Sequence, residues 1–162
     1  MTNADWEKRV AAAWATFDER SDEENRTLIG ALAAELPEGS PEASFERACV
    51  FDSTDASDRA VPLYREALDR GLGPERRRRA VIQLASSLRN IGRADESVAL
   101  LTAELDGAAD ELDDAVHAFL ALALTDVGRD REALSHALGA LAPHLPRYQR
   151  SLAAYARALV ED

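Results

Sequence analysis

One cysteine and three histidines are the residues of this sequence that could carry nucleophilic chemistry. A cysteine thiolate attacks a substrate only when a base lies within hydrogen-bonding reach and a donor stabilises the oxyanion. Neither group is near Cys49 in the sequence, and His117, His136 and His144 lack the four-residue spacing of a metal-binding helix. A lone cysteine on an alanine-rich helix is usually a small packed residue. We therefore expect no enzymatic activity, no metal and no cofactor.

Two charged runs could bind ions or partners. The basic run Arg76 to Arg79 could hold an acidic segment or a phosphate, although such a run at a helix start is more often a solvated face. Positive charge there is unfavourable by roughly a few tenths of a kcal/mol, which Glu75 partly offsets. The acidic run Asp110 to Asp114 suits a helix N-terminus, because it lacks the glycine turn and alternating ligands of a calcium loop.

Composition narrows the possible partners. The net charge of −11 argues against general affinity for nucleic acid or an anionic membrane. No apolar run approaches the roughly 20 residues that span a bilayer, and the first residues lack the regions of a signal peptide. We expect a cytoplasmic protein without an internal disulfide. The excess of alanine and of arginine over the single Lys8 indicates a bacterial genome rich in G and C.

Apolar residues recur at helical spacing along almost the whole chain, and no segment has the alternation of a strand. Ser21 with Glu24 forms a capping-box pattern, and Ser40 before Pro41 is a typical helix start. In the first helix the predicted core stripe is Trp6, Val10, Ala13 and Phe17, with Trp14 beside it. The predicted helices span about 5–18, 21–36, 41–53, 57–70, 75–91, 94–106, 110–127, 130–142 and 147–160.

A ten-residue pattern occurs twice. Leu84-Ala85-x-x-Leu88-x-x-x-Gly92-Arg93 returns 36 residues later as Leu120-Ala121-x-x-Leu124-x-x-x-Gly128-Arg129. A period of this length indicates stacked helical hairpins, because one hairpin cannot bury its apolar face alone. A weaker copy around Ala48 has Asp55 where the turn glycine is expected. The copies are 37 and 36 residues apart, and the extra residues fall at the junctions Gly71-Leu72-Gly73 and Gly107-Ala108-Ala109.

This pattern resembles the tetratricopeptide repeat. The second helices of the copies carry the matching small and apolar positions, which are Ala60, Tyr64 and Ala67, then Ser97, Leu101 and Leu105, then Ala133, Ala137, Ala140 and Leu141. No copy has the first-helix tryptophan of the family, and the spacing exceeds the usual 34 residues. Stretches such as 82–90 and 145–152 look like an actinobacterial branch of compact, stand-alone tetratricopeptide proteins of unassigned function.

The resemblance implies an all-α fold, an α-α superhelix or right-handed solenoid of stacked helical hairpins. It places one domain over 1–162, with a divergent helix pair at 4–37, repeats at 41–71, 74–107 and 110–145, and a capping helix at 146–160. The first helix of each hairpin would line a concave groove. The positions that face this groove in the family register are Phe45, Cys49, Asp52, Ser53, Arg79, Ile82, Ser86, Arg89, Asn90, Ala118, Leu122, Thr125 and Asp126.

Two functions follow from this interpretation. The first is a non-enzymatic protein–protein interaction scaffold that binds a peptide segment of an unidentified partner, with Arg79, Arg89 and Asn90 holding a carboxylate or the peptide backbone. Alternatively, Arg89 and Asn90 only cap their helix. The second function is a structural or assembly role through self-association as a homodimer. In that case the terminal helix would bury its apolar side, Leu152, Tyr155, Leu159 and Val160, in a second subunit.

Overall fold

Helices form where the sequence places caps and apolar periodicity. The computed structural model describes residues 3–107 and 109–161, and no strand occurs in these ranges. Ala108, part of a predicted junction, and Met1 and Thr2 lie outside the described residues. The helices are α1 (Asn3–Ala15), α2 (Asp22–Ala33), α3 (Pro41–Asp52), α4 (Ser57–Asp69), α5 (Pro74–Asn90), α6 (Ala94–Leu105), α7 (Asp113–Asp126), α8 (Asp130–Leu141) and α9 (Gln149–Ala158), with 3-10 turns at Phe17–Glu19 and Ala142–His144.

The predicted cap at the start of α2 is present in full. The hydroxyl of Ser21 accepts the backbone N–H of Glu24, and the carboxylate of Glu24 accepts the backbone N–H of Ser21 at 2.8 Å. At α3, Ser40 accepts the N–H of Ala43 while Pro41 takes the first helical position. Caps of this type contribute about 1 kcal/mol each to helix stability.

Two helices begin later than predicted. α7 begins at Asp113 rather than at residue 110, because the carboxylate of Asp110 accepts the N–H of Leu112 at 2.7 Å and forms a turn before the helix. α9 begins at Gln149 rather than at residue 147, because Tyr148 has a left-handed backbone (φ 69°) that a right-handed helix cannot contain. The acidic run therefore lies partly in a turn.

Three hairpins share one turn geometry. The backbone is left-handed at Asp55 (φ 56°), Gly92 (φ 78°) and Gly128 (φ 76°). In each case the next residue donates its N–H to a carbonyl five residues earlier, at 2.9 Å: Ala56 to Phe51, Arg93 to Leu88, and Arg129 to Leu124. This bond is the longer of the two in a Schellman cap. The weakest sequence copy thus has the same turn as the clear ones.

The chain divides within α5, after Gln83, into an N-terminal and a C-terminal compact unit. In the N-terminal unit α1 packs on α2, α2 on α3 and α3 on α4. Its core includes Trp6, whose indole N–H donates to the carbonyl of Leu32 at 2.8 Å, together with Ile29 and Val50. In the C-terminal unit α6 packs on α7, α7 on α8 and α8 on α9. Within the ranges that the structure describes, no helix is both long and apolar enough to span a bilayer.

Candidate functional site

A cavity of about 570 Å³ opens in the N-terminal unit between the first helices of its hairpins. One wall comes from α1, where Val10 also belongs to the buried core stripe, and the other walls come from α3 and from the start of α5. Five of the eight lining residues are charged. The lining consists of Glu7, Val10, Ala11, Trp14, Glu46, Glu75, Arg76 and Arg79.

Glu46 lines this cavity and is only 4% exposed. The indole N–H of Trp14 donates to its Oε2 at 2.8 Å. Its Oε1 is 3.8 Å from Nε of Arg76, a distance too long for a hydrogen bond. Burial raises the pKa of the Glu46 carboxyl above its ordinary value, and the bond from Trp14 and the positive charge of Arg76 oppose that shift.

Arg76 is held by a carboxylate from a different helix. Its guanidinium donates to both oxygens of Glu7, at 2.9 and 2.5 Å, which joins α5 to α1. These bonds raise the pKa of Arg76, although burial opposes the shift. The interpretation of the basic run as a solvated face is wrong for Arg76, which is half-buried, and for Arg78, which is 6% exposed.

Arg79 is the one residue of the predicted groove set in the N-terminal unit that lines the cavity. Its side chain is exposed, and its guanidinium carbon lies 5.3 Å from the centre of the Phe45 ring. Phe45 is fully buried against Tyr64, with ring centres 6.2 Å apart. Ile82 is also buried, whereas Asp52 is half-buried and accepts the hydroxyl of Tyr64 at 3.5 Å.

Cys49 is buried, as a packed residue would be. Burial raises the pKa of its thiol to about 12, with the negative charge of Glu46 adding to the effect. Its sulfur lies 3.6 Å from Oε1 of Gln83, to which it donates a weak hydrogen bond. At neutral pH the thiol is therefore protonated and a poor nucleophile. Ser53, the last member of the predicted set on this hairpin, is exposed and caps α3.

The predicted groove positions of the C-terminal unit form a different surface. Nε of Arg89 lies 2.5 Å from Oδ2 of Asp126, so the predicted cation and anion pair with each other. Ser86 is half-buried and Asn90 is exposed. The remaining positions lie on an open, mostly apolar groove of about 490 Å³ between α7 and α8. It is lined by Ala118, Ala121, Leu122, Thr125, Asp130, Ala133, Leu134 and Ala137.

Two of the three histidines meet across α7 and α8. The Nδ1 atoms of His117 and His136 are 2.8 Å apart, and their rings stack with centres 5.0 Å apart. His144 bonds to Asp114 at 2.8 Å. In the described part of the chain, no three potential metal ligands come together.

Sequence reasoning did not identify Glu7, Trp14 or Glu46 as site residues, and it considered Arg76 only as part of a basic run. Trp14 packs beside the core stripe, as the sequence predicts, and its half-buried side chain also forms a cavity wall. One signal was available in the sequence, because Glu46 is a charged residue that follows Phe45 and closely precedes the run Ala48-Cys49-Val50. The cavity itself could not be predicted from the sequence. Trp14, Glu46 and Arg76 follow one another at intervals of about thirty residues, and they meet only by helix packing.

Comparison with known proteins supports the assignment of the fold. Residues 41–159 match the family model described as "Tetratrico peptide repeat". Similar solved structures include "MamA MSR-1 C2", with a TM-score of 0.63 and 20% identity over 83% of this chain and 74% of the other. Another is "MamA AMB-1 P212121", with a TM-score of 0.62 and 19% identity over 89% and 76%. At these identities the likeness concerns the fold alone, and it confirms the all-α class of helical hairpins. No curated protein matches the sequence significantly.

Proposed function

Because this chain belongs to the tetratricopeptide repeat family, whose members are generally non-enzymatic protein-interaction scaffolds, we propose that it binds a peptide segment of a partner protein on the first helices of its hairpins. The observation that carries this proposal is the charged cavity between α1, α3 and α5. Its volume lies in the range of pockets that hold small ligands or a few side chains. We also propose that the protein is bacterial and cytoplasmic.

The cavity offers the kinds of contact that a peptide needs. The exposed guanidinium of Arg79 can donate to a backbone carbonyl or a carboxylate of the peptide. Trp14 presents a half-buried aromatic surface on which a side chain can pack. In the C-terminal unit, Asn90, Leu122 and Thr125 are exposed first-helix positions that can contact a peptide separately.

A display library of random 12-residue peptides, selected on the purified full chain, tests the proposal. We expect enriched peptides whose binding falls at least about tenfold in Trp14→Ala and Arg79→Ala variants, because each change removes a direct contact. Arg70→Ala is the matched control, since Arg70 pairs with Glu66 on α4 and does not line the cavity. The proposal is wrong if no peptide is enriched, or if well-folded cavity variants bind the peptides as tightly as the control.

Self-association is a second candidate function, and the C-terminal unit carries the observation that favours it. Among its exposed large apolar residues are Leu122 and Leu134 on the α7–α8 groove and Tyr155 and Val160 around α9. Tyr155 is 70% exposed, whereas the neighbouring Leu152 and Leu159 are half-buried. A homodimer that buries this surface would remove several apolar side chains from water.

Sedimentation equilibrium between about 1 and 100 μM distinguishes the two candidates. A dimer that Tyr155→Ser weakens, and that Ser151→Ala on the same helix leaves intact, would support self-association through α9. A single monomeric mass over this range would exclude it and leave the peptide-binding proposal unaffected.

A further inference from the structure

We infer that the cavity of the N-terminal unit receives a positively charged side chain of the partner, an arginine or lysine in a peptide segment, with Glu46 as its counter-charge. This inference rests on the proposed function, because it names the chemistry that the same cavity selects.

The lining has an excess of negative charge. It contains three glutamates and two arginines. Arg76 and Glu7 neutralise each other through their two hydrogen bonds. The charges that remain are those of Glu46, Glu75 and Arg79. Their sum is one net negative charge, which attracts a cation in the cavity and repels an anion. The net charge of −11 on the whole chain also raises the local concentration of basic segments.

Glu46 is the group with unused bonding capacity. Its Oε2 accepts one hydrogen bond, from Trp14. Its Oε1 faces Nε of Arg76 without a hydrogen bond, and that Nε is buried with no acceptor among the described residues. A buried carboxylate in this state is costly unless a further donor reaches it. An ammonium or guanidinium group supplies both the donor and the charge.

The apolar part of the lining suits the stem of such a side chain. Val10, Ala11 and Trp14 line one side of the cavity on α1. The aliphatic stem of lysine or arginine packs along apolar surface while its head reaches a polar partner. The Trp14 ring adds the favourable interaction of a cation with an aromatic face. A neutral polar side chain would gain neither the charge interaction nor this contact.

The two tryptophan indoles give a direct measurement. Trp14 donates its N–H to Glu46, whereas Trp6 donates to the carbonyl of Leu32 in the core. The chain contains two tryptophans, so a nitrogen–proton NMR spectrum shows two indole signals, which a Trp14→Phe variant assigns. The probes are capped pentapeptides of glycine and alanine with one central arginine, lysine, citrulline or glutamate. Citrulline matches arginine in shape but has no charge.

We expect the arginine and lysine probes to shift the Trp14 indole signal saturably and to move the Trp6 signal much less. Citrulline and glutamate probes should bind at least about tenfold more weakly, since a charge-assisted hydrogen bond is roughly twice as strong as a neutral one. Glu46→Gln should remove the preference for the charged probes. Glu35→Gln, in the same unit but outside the cavity, should leave it unchanged.

Three results would overturn the inference. They are equal shifts with arginine and citrulline, an unchanged preference in Glu46→Gln, and no shift of the Trp14 signal by the charged probes at millimolar concentration. The display experiment separates this failure from that of the proposed function. Enriched peptides that need Trp14 and Arg79 but contain no recurring basic residue would leave the proposed function standing and exclude the basic side chain.

Discussion

At the scale of single residues, the protonation of Glu46 is set by a competition. Burial favours the neutral acid, while the hydrogen bond from Trp14 and the charge of Arg76 favour the carboxylate. Burial is the larger effect, so the pKa is raised. Glu35 is the opposite case, because its hydrogen bonds from Arg9 at the surface lower its pKa.

These two glutamates predict opposite pH dependences. A raised carboxyl pKa favours folding below the unfolded pKa of about 4.3, and this contribution is lost as pH rises through the folded pKa. The unfolding free energy of Glu46→Gln should therefore rise relative to wild type between about pH 4 and 7. Glu35→Gln should change in the other direction and at lower pH: its unfolding free energy should rise relative to wild type as pH falls below about 4.3, where the stability from the lowered Glu35 pKa is lost. Urea titrations at several pH values measure both, and parallel profiles would contradict the prediction.

Asp55 is the residue that departs from the turn pattern of the other hairpins. It adopts the left-handed backbone that Gly92 and Gly128 adopt at the matching positions. Aspartate tolerates this conformation better than most residues, but glycine has no Cβ to resist it.

Asp55→Gly should raise the unfolding free energy by about 0.5–1 kcal/mol, because the backbone strain at the turn disappears. Gly92→Ala should lower it by about 1 kcal/mol. No atom outside the turn lies within 4 Å of the added Cβ, so strain alone is tested at Gly92. Thermal unfolding measures both, and a destabilised Asp55→Gly variant would show that the aspartate side chain contributes more than its strain costs.

At the scale of helices, the contact between His117 and His136 couples α7 to α8. A hydrogen bond between the two Nδ1 atoms requires at least one neutral ring. Burial and the neighbouring His117 lower the pKa of His136, while Glu132 opposes and Arg129 adds to the shift. A lowered histidine pKa favours folding above the unfolded value of about 6.5, and this contribution is lost as pH falls.

Acidification from about pH 7.5 to 5.5 should therefore destabilise the α7–α8 hairpin. Amide hydrogen exchange in α7 and α8 should accelerate relative to exchange in α2 and α3, which lie in the other unit. His136→Gln should reduce this difference, because one titrating ring is gone. His144→Gln should preserve it, since His144 bonds to Asp114 instead. Equal acceleration in wild type and His136→Gln would exclude the histidine contact as the cause.

At the scale of the whole molecule, the repeat pattern was enough to predict the fold class. The capping residues Ser21 and Ser40 and the turn glycines Gly92 and Gly128 act locally, so their effects could be read from sequence. The candidate site was mostly missed because its bonds join helices. The pairing of Arg76 with Glu7 spans 69 residues and depends on packing that no local pattern encodes.

The acidic character of the chain predicts how ionic strength affects binding. With a net charge of −11, a basic peptide should associate more slowly as salt rises from about 50 to 500 mM, because screening weakens long-range attraction. Its dissociation rate should change much less, since contacts inside the cavity are poorly screened. Stopped-flow fluorescence with the arginine probe measures both rates, and the citrulline probe is the uncharged control. Salt-independent association would contradict the prediction.

The left-handed turn at Asp55 also bears on how this sequence can change over generations. An aspartate codon becomes a glycine codon through a single base substitution, so the more relaxed turn is one mutational step away. A cost of under about 1 kcal/mol is within the range that natural proteins tolerate when overall stability is sufficient. The hairpin with the least regular sequence can therefore persist unchanged, because its backbone already follows the same path as the others.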